Sequence, residues 1–287
     1  MIVTRFAPSP TGFLHLGHAF AALTAHRAAE QSGGRFLLRI EDIDTTRSRR
    51  EYEQAIRDDL MWLGLEFEEP VRRQSEHFSD YEAALKTLGE RGLLYPCFCT
   101  RKEIAEEIAR AAEAPHGPDG PLYPGTCRRL SPEVREARMS AGESYALRMD
   151  VENAVAAIAR PLTFVERGAG PSGETGEQIV HPALFGDVVL ARKELPASYH
   201  LAVVVDDALQ GVTLVTRGHD LFHATHVQRL LQACLGYEPP AYAHHRLILD
   251  MSGKKFSKRD RSVTLESLRR AGATPASIKE SLGWRDR

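Results

Sequence analysis

The amino-acid sequence predicts an α/β protein built on a parallel β-sheet, and three observations support this class. Residues 2–6 form a short apolar strand, a turn rich in proline and glycine follows, and residues 19–29 contain strong helix formers. Residues 35–40, with the sequence RFLLRI, have the pattern of a second strand. Residues 198–205 and 212–216 are apolar or β-branched, as expected of parallel strands covered on both faces. Together they predict a Rossmann-type parallel sheet that binds its ligand where the strands end.

Helices are predicted where apolar residues recur with the helical period. The run from about residue 50 to 63 places four apolar residues on one face and ends at Gly64. Cys234 falls on the apolar side of another such run, so its thiol is predicted to lie in the core. The remaining helices are predicted over residues 79–91, 101–112 and 222–235.

The predicted Rossmann domain is interrupted by an insertion. From Tyr95 a cysteine-rich stretch, a charged helix and a Pro/Gly-rich loop lead into residues 144–185, whose alternation predicts short strands. Four divisions are predicted. Residues 1–94 form the first half of the Rossmann domain, and residues 95–185 form an inserted zinc-bearing α+β subdomain. Residues 186–245 form the second half of the Rossmann domain, and residues 246–287 form a lysine-rich loop with a C-terminal helical segment.

The composition is that of an ordinary globular protein, with 287 residues, 43% hydrophobic and 26% charged. No apolar run approaches the length needed to cross a bilayer, and the first residues lack a signal-peptide pattern, so a cytoplasmic protein without a membrane partner is predicted. The net charge of -2 gives no sign of a nucleic-acid partner. The basic run at residues 254–261 could bind RNA, or it could be a solvated face.

Three of the four cysteines lie near one another in the sequence. Cys97, Cys99 and Cys127 suggest a metal site rather than disulfides, because four cysteines are too few for a disulfide scaffold at this length. Tetrahedral zinc takes four ligands, and from chemistry alone His116 is the natural fourth. A reduced, metal-free trio packed in the core is the alternative.

The turn after the first strand has the sequence RFAPSPTGFLHLGH, which ends in His15 and His18. Both imidazoles lie at the start of the predicted helix, where free backbone N–H groups and the helix dipole attract phosphate. Gly17 has no side chain, so a flat ring such as adenine could approach the backbone closely. Taken alone, a pair of histidines with this spacing is more often a helix cap than a ligand site.

A second motif, KFSKR at residues 255–259, follows the second group of strands, and Gly253 and nearby serines suit a loop that opens and closes. The two motifs resemble the HIGH and KMSKS signatures of class I aminoacyl-tRNA synthetases. Leu16 stands in place of the isoleucine, Phe256 in place of the methionine and Arg259 in place of the final serine. The preceding FAPSPTG is similar to the glutamyl branch of this family.

The resemblance implies formation of an adenylate from L-glutamate and ATP. The substrate carboxylate is already an anion, so the site needs to align two anions and stabilise phosphoryl charge rather than supply a base. The catalytic residues implied are His15, His18, Lys255 and Lys258, and ATP would be bound by His15, Gly17, His18 and Lys258. Mg²⁺ is expected to accompany the ATP phosphates.

The resemblance also implies a site for glutamate. Arg5 and Arg217 end separate predicted strands, so both can point into one crevice, and a planar guanidinium suits a carboxylate. Glu41 would bind the substrate ammonium, although it could also cap the next helix, just as either arginine could form a surface ion pair. The residues carried over are Arg5, Ala7, Ser9, Glu41, Tyr199 and Arg217.

The family gives a second view of the metal site. In bacterial glutamyl-queuosine enzymes of this family, a tyrosine four residues before the last cysteine is the fourth zinc ligand. This position corresponds to Tyr123. The resemblance therefore implies a structural zinc bound by Cys97, Cys99, Tyr123 and Cys127, with His116 as the chemical alternative.

The short stretch after the lysine motif resembles the shortened bacterial paralogues of glutamyl-tRNA synthetase, which lack the helical anticodon-binding region. This likeness implies a monomer that activates glutamate without needing tRNA and esterifies it to the queuosine base in the anticodon of tRNA(Asp). Three alternatives are a minimal glutamyl-tRNA synthetase charging the acceptor end of tRNA(Glu), a small-molecule adenylating ligase, and a non-catalytic binding module.

Overall fold

A computed structural model describes residues 1–110, 116–118, 120–249 and 263–284 of the chain, apart from the side chains of 107–110 and 116. The α-helices within these ranges are α1 (Leu16–Glu30), α2 (Arg50–Trp62), α3 (Phe78–Glu90), α4 (Arg101–Arg110), α5 (Pro132–Ser140), α6 (Val151–Ile158), α7 (Tyr199–Leu209), α8 (Ala224–Leu235), α9 (Leu265–Arg270) and α10 (Pro275–Ser281). The strands are β1 (Val3–Phe6), β2 (Arg35–Ile40), β3 (Glu68–Arg73), β4 (Leu94–Cys97), β5 (His116–Gly117), β6 (Gly120–Pro121), β7 (Ala146–Met149), β8 (Thr163–Glu166), β9 (Gly176–Ile179), β10 (Val189–Arg192), β11 (Leu214–Gly218) and β12 (Ala241–His245).

Two groups of parallel strands meet at the centre of the fold. β1, β2 and β3 form one group, and β11, β12 and β8 form the other, with β9 antiparallel at the outer edge. The groups join where the Thr213 amide donates to the Val3 carbonyl at 3.0 Å and the Val3 amide donates to Thr213 Oγ1 at 2.9 Å. The predicted α/β class with a parallel sheet is confirmed. Its central strands β1 and β11 end side by side, as a ligand site at this edge requires.

Helices cover both faces of the sheet. On one face α1 and α2 share a core with α9 and α10, and on the other face α3, α7 and α8 share a second core. The predicted helices over residues 50–63, 79–91 and 222–235 correspond to α2, α3 and α8, and Cys234 is fully buried as expected. Within the described ranges, no helix is both long and apolar enough to cross a lipid bilayer.

The prediction of a strand at residues 198–205 is wrong, because this run forms helix α7. Ser198 is the N-cap, and its hydroxyl accepts a hydrogen bond from the Leu201 amide at 3.4 Å. Every residue from 201 to 207 is buried, so the helix is surrounded by protein on nearly all sides. A continuously apolar run does not by itself distinguish a buried strand from a buried helix.

Residues 144–185 contain the predicted short strands and also a helix that the alternation did not indicate. Helix α6 begins after Asp150, whose carboxylate accepts a hydrogen bond from the Asn153 amide at 3.0 Å. Strand β7 pairs antiparallel with both β4 and β10 in a separate sheet, whereas β8 and β9 extend the main sheet beyond β12. The predicted domain boundaries stay a prediction.

The segment that begins at residue 263 lies directly beside the histidine turn. The Leu265 amide donates to the Leu14 carbonyl at 2.8 Å, and Thr264 forms an antiparallel bridge with His15. Helix α9 then packs against α2. Residues 250–262, which include the predicted lysine motif, lie outside the described residues.

A buried carboxylate in α2 gives a stability prediction. Asp59 is fully buried, its two oxygens have no hydrogen-bond partner within the described residues, and Arg269 Nη2 lies 3.8 Å away. Burial raises the pKa of Asp59 to about 6. The folded protein therefore binds this proton more tightly than the unfolded chain does, and stability is lost as the pH rises from about 4 to 6. We expect Asp59→Asn to raise the free energy of unfolding by about 1–2 kcal/mol at pH 7.5.

Urea unfolding at several pH values checks this expectation. The gain from Asp59→Asn should shrink as the pH falls from 6 towards 4, because the wild-type carboxyl becomes neutral in the fold. Asp58→Asn is the matched control, since Asp58 is a neighbouring, partly exposed residue that accepts a hydrogen bond from Gln54. It should change stability by less than about 0.5 kcal/mol. An equal gain at pH 4 and pH 7.5 would contradict the assignment to Asp59 ionisation.

Candidate active site

A cavity of about 620 Å³ opens where β1 and β11 end. Its wall includes all six residues predicted to bind glutamate, together with the second histidine of the turn: Arg5, Ala7, Ser9, Glu41, Tyr199, Arg217 and His18. These residues come from both halves of the chain, from the four elements β1, α1, α7 and β11 and from the two loops that follow β1 and β2. The structure brings them together, and their individual roles stay predictions.

The histidine turn has a fixed geometry at the start of α1. The rings of His15 and His18 stack with their centroids 3.7 Å apart, and His18 Nδ1 accepts a hydrogen bond from the His15 amide at 3.2 Å. A neutral His18 ring therefore carries its hydrogen on Nε2, where it can act as a donor. His15 is buried and His18 lines the cavity.

Gly17 lies between the two histidines for a steric reason. A Cβ atom added at Gly17 would lie 3.1 Å from Cε1 of His15, which is tighter than most contacts of a real Cβ. A side chain there would require the His15 ring to shift by a few tenths of an ångström. Lys255 and Lys258, the other predicted catalytic residues, lie outside the described residues.

Arg5 is held by an acidic partner that the sequence did not indicate. Its Nε donates to Asp207 Oδ1 at 3.0 Å, and Arg39 Nη1 donates to the same oxygen at 2.6 Å. Burial alone would raise the pKa of Asp207, but the two arginines hold this pKa below its usual value. The charge of Arg5 is thus already compensated inside the fold.

Glu41 is tied to the same charge network. Its carboxylate accepts a hydrogen bond from Arg39 Nη2 at 3.1 Å, and its side chain is only 9% exposed. Burial raises the pKa of Glu41 above its usual value, although Arg39 and Arg5 oppose the shift. A carboxylate with one charged partner and little water around it is suited to bind an ammonium group.

Arg217 differs from Arg5 because its hydrogen-bond partners are neutral. Nη1 donates to Gln228 Oε1 at 2.8 Å, and Nη2 donates to Thr225 Oγ1 at 2.7 Å. Its Nε donates to His244 Nε2 at 3.1 Å. No carboxylate among the described residues forms an ion pair with Arg217, although the residue is buried at the cavity wall. Among the described residues, Arg217 is therefore a cation at the cavity wall without a carboxylate in direct contact.

Two further residues line the cavity beside Arg217. Tyr199 is the first residue of α7, not a strand residue as predicted, and burial raises the pKa of its hydroxyl. Thr216 Oγ1 is buried without a hydrogen-bond partner in the part of the chain that the structure describes. Thr216 was not predicted from the sequence as a cavity residue. Its position directly before Arg217 on β11 could have indicated that it lies near the cavity.

The predicted metal ligands converge near the end of β4. The sulfur atoms of Cys97, Cys99 and Cys127 lie within 4.8 Å of one another, and Cys99 Sγ is 3.4 Å from both Cys127 Sγ and Tyr123 Oη. Ligand atoms around a tetrahedral zinc with Zn–S bonds of about 2.3 Å lie about 3.8 Å apart. The three thiols and the tyrosine hydroxyl therefore fit a tetrahedral metal site.

Hydrogen bonds prepare one of these thiols for metal binding. Burial alone would raise the pKa of Cys127, but hydrogen bonds from the Tyr123 hydroxyl and the Phe98 amide help to hold it below its usual value. For His116 only the backbone is described, as part of the short β5–β6 pairing. Tyr123 Oη lies beside Cys99 Sγ, which is the position that a fourth ligand would need, and its role stays a prediction.

Comparison with known proteins identifies the class to which this fold and site belong. The family model for tRNA synthetases class I (E and Q), catalytic domain, matches residues 1–285. The chain therefore belongs to the class I tRNA synthetases of the glutamyl and glutaminyl type, and it is a ligase.

Relatives within this family include enzymes of similar length. The glutamyl-Q tRNA(Asp) synthetase of Rhodobacter capsulatus is 48% identical over 285 residues, which cover 98% of this chain and all of that protein. The enzyme of the same name from Symbiobacterium thermophilum is 43% identical, with 99% and 86% covered. The glutamate–tRNA ligase of Aquifex aeolicus is 38% identical, but only 57% of its length is matched.

Solved structures show the same architecture. A glutamate tRNA ligase from Elizabethkingia meningosepticum in complex with its amino acid superimposes with a TM-score of 0.72 at 28% identity, covering 90% of this chain. The chain spans about half of that ligase, 52% of its length. Methionyl-tRNA synthetase of Mycobacterium tuberculosis, bound by methionyl-adenylate, shares the fold with a TM-score of 0.57 at 12% identity, and the match covers 98% of this chain and 63% of that one.

Proposed function

We propose that the protein activates L-glutamate with ATP and transfers the glutamyl group to the queuosine base in the anticodon of tRNA(Asp). Activation of glutamate is supported chiefly by the cavity at the ends of β1 and β11, which is lined by Arg217, Glu41 and His18. Transfer of the glutamyl group is supported by the relatives named glutamyl-Q tRNA(Asp) synthetase, which this chain matches over nearly its whole length.

Charge complementarity supports glutamate as the amino acid. Glutamate carries two carboxylates and one ammonium group. Arg217 offers the cavity a cation that no described carboxylate neutralises, and Glu41 offers a carboxylate whose side chain is only 9% exposed. A substrate carboxylate on Arg217 and the substrate ammonium on Glu41 would compensate both charges.

The first chemical step is formation of glutamyl-adenylate. A carboxylate oxygen of glutamate donates an electron pair to the α-phosphorus of ATP, the bond from that phosphorus to the bridging oxygen breaks, and pyrophosphate leaves. His18 would donate from Nε2 to phosphate oxygens, and backbone amides at the N-terminus of α1 would donate to the same phosphates. His15, Lys255 and Lys258 complete the proposed catalytic set, and Mg²⁺ would arrive bound to the ATP phosphates.

The second step is transfer of the glutamyl group to a hydroxyl of the queuosine base. The hydroxyl oxygen attacks the carbonyl carbon of the adenylate, AMP leaves with the electron pair of the broken bond, and the hydroxyl proton passes to solvent or to the leaving phosphate. The basic run at residues 254–261 is proposed to contact phosphates of the tRNA(Asp) anticodon loop, so binding should weaken with salt.

The cysteine cluster is proposed to hold a structural zinc ion. Cys97, Cys99, Tyr123 and Cys127 would be its ligands, and the ion would fix the ends of the segment between β4 and the short helical turn that contains Cys127. We further propose that the enzyme acts as a monomer in the cytoplasm, where its tRNA substrate would be available.

Two assays test the proposal in sequence. Wild-type protein should exchange labelled pyrophosphate into ATP when glutamate is present and tRNA is absent. It should then attach labelled glutamate to tRNA(Asp) carrying queuosine but not to tRNA(Asp) lacking it. Glutamate charged onto tRNA(Glu) instead would favour a minimal glutamyl-tRNA synthetase, and exchange without any labelled RNA would favour a small-molecule ligase.

We expect His18→Ala to lower the exchange rate roughly 100-fold, since one preorganised donor to a transition state contributes about 3 kcal/mol. Lys258→Ala should have a similar effect. His77→Ala is the control, because His77 lies outside the cavity beside Asp80. Unchanged exchange by His18→Ala and Lys258→Ala would refute the proposed activation mechanism.

A further inference from the structure

Three neighbouring parallel strands place one polar residue each in a row behind the cavity. Arg217 of β11 is in register with His244 of β12, and Glu166 of β8 lies beside β12, where it is in register with Tyr242. Only Arg217 reaches the cavity wall. The side chains of His244 and Glu166 are fully buried.

The hydrogen bonds along this row determine where the hydrogen of His244 lies. Arg217 Nε is a donor and lies 3.1 Å from His244 Nε2, so Nε2 must be the acceptor. The hydrogen is then on Nδ1, which lies 2.5 Å from Glu166 Oε2. The ring is neutral in this arrangement, consistent with burial, which lowers the pKa of His244.

Glu166 is itself held as a carboxylate. Its Oε1 accepts hydrogen bonds from the His244 amide at 2.9 Å and the Gly168 amide at 2.8 Å. The second contact needs a glycine, because a Cβ at Gly168 would lie 2.5 Å from the His244 carbonyl oxygen. Burial alone would raise the pKa of Glu166, but the hydrogen bond from the His244 ring and the two amide hydrogen bonds hold this pKa below its usual value.

We propose that Glu166 and His244 are positioning residues for the substrate-binding arginine: Glu166 fixes the Nδ1–H tautomer of His244, and His244 Nε2 then orients the Arg217 guanidinium towards the glutamate carboxylate. The Glu166 carboxylate does not contact Arg217, because the His244 ring lies between them. The guanidinium is therefore oriented by a hydrogen bond to a neutral ring, and its positive charge is not compensated by a direct ion pair. This inference rests on the proposed binding of glutamate by Arg217.

Glu166→Gln is a sharp test because the two backbone amides dictate how the new side chain lies. Its carbonyl oxygen should take the Oε1 position, which places the amide NH₂ against His244 Nδ1. His244 would then carry its hydrogen on Nε2, directly facing the Arg217 Nε–H group. Two donors would oppose each other, and the guanidinium would turn away from its present orientation.

The readouts are the ¹⁵N chemical shifts of histidine-labelled protein and the kinetics of pyrophosphate exchange. The wild-type His244 resonances, identified by their loss in His244→Gln, should show the Nδ1–H tautomer, and Glu166→Gln should show Nε2–H. The KM for glutamate should rise roughly 10- to 100-fold, with kcat changing less than about threefold, since a merely destabilised fold would not produce this split. Glu177→Gln on the exposed strand β9 is the matched control and should alter neither readout.

Each result decides the matter. A wild-type ring with Nε2–H or with both nitrogens protonated at neutral pH overturns the proposal, and so does an unchanged glutamate KM in Glu166→Gln. The wild-type spectrum alone still decides if Glu166→Gln does not fold. Absence of glutamate-dependent exchange in the wild type would count against the proposed function instead, and is therefore distinguishable from failure of the tautomer proposal.

Discussion

Replacing Arg217 with lysine is expected to lower kcat/KM for glutamate roughly 100-fold in pyrophosphate exchange. Lysine keeps the charge but cannot reproduce the three N–H contacts that now orient the guanidinium against His244, Gln228 and Thr225. Removing one partner of a buried, hydrogen-bonded charge pair costs about 2–5 kcal/mol, and a 100-fold loss lies at the lower end of this range because lysine would still attract the substrate carboxylate. The loss should appear chiefly in the KM for glutamate.

Arg229→Lys is the matched control for this variant. Arg229 is also a buried arginine, and its Nε donates to the Thr163 carbonyl at 2.9 Å, but it does not line the cavity. Its replacement should change kcat/KM less than about threefold. If Arg217→Lys kept the wild-type KM for glutamate, the carboxylate would have to bind elsewhere, and Arg5 would be the next residue to test.

Removal of one clustered thiol is expected to release the proposed zinc and to destabilise the fold strongly. Cys127→Ala should lower bound zinc from about one ion per chain to well below half, as measured by atomic emission. The apparent melting temperature should fall by about 10 °C or more, because a structural zinc site contributes several kcal/mol to folding. Prolonged dialysis of the wild type against a chelator should produce a similar fall.

Cys234→Ala separates the metal effect from the loss of a buried thiol. Cys234 is as deeply buried as Cys127, but it lies on the core-facing side of α8, far from the other three cysteines in sequence. It should cost about 1 kcal/mol of stability and leave zinc binding intact. Zinc bound by Cys127→Ala as tightly as by the wild type would contradict the assignment of this site.

Tyr123→Phe addresses the fourth ligand alone. The change removes only the hydroxyl that lies 3.4 Å from Cys99 Sγ, so zinc affinity in a chelator competition should fall about 10- to 100-fold if Tyr123 is a ligand. Wild-type affinity in this variant, together with reduced affinity in His116→Ala, would transfer the fourth position to His116.

Elements that end at a residue such as glycine, which helices and strands do not tolerate well, were predictable from the sequence. β2 has the predicted bounds, and α2 ends before Gly64, which adopts a positive φ of 77° that favours glycine. The apolar positions of α2 follow the helical period because one of its faces is solvated. Helix α7 was not predicted because protein surrounds it on nearly all sides. Its apolar residues are therefore continuous and do not show the helical period.

The site was predictable only as far as the motifs extend. The turn residues and the two arginines could be placed at one edge of the sheet because parallel strands end there together. The partners of those arginines could not. Asp207 and His244 lie 202 and 27 residues from the arginines that they contact, and such side-chain pairs depend on packing that no local pattern encodes. For Asp207, the mistaken strand at residues 198–205 also hid the helix that presents it.

The two adjacent acids of α7 fasten this helix to three strands at once. Arg5 of β1 and Arg39 of β2 bind Asp207, and Arg72 of β3 binds Asp206 at 2.7 Å. Moving α7 along the sheet would leave several buried charges without their ion-pair partners, which costs far more free energy than moving an apolar helix. The glutamate-binding cavity should therefore be preformed in the absence of RNA. We expect isothermal titration calorimetry to detect glutamate binding to the protein alone.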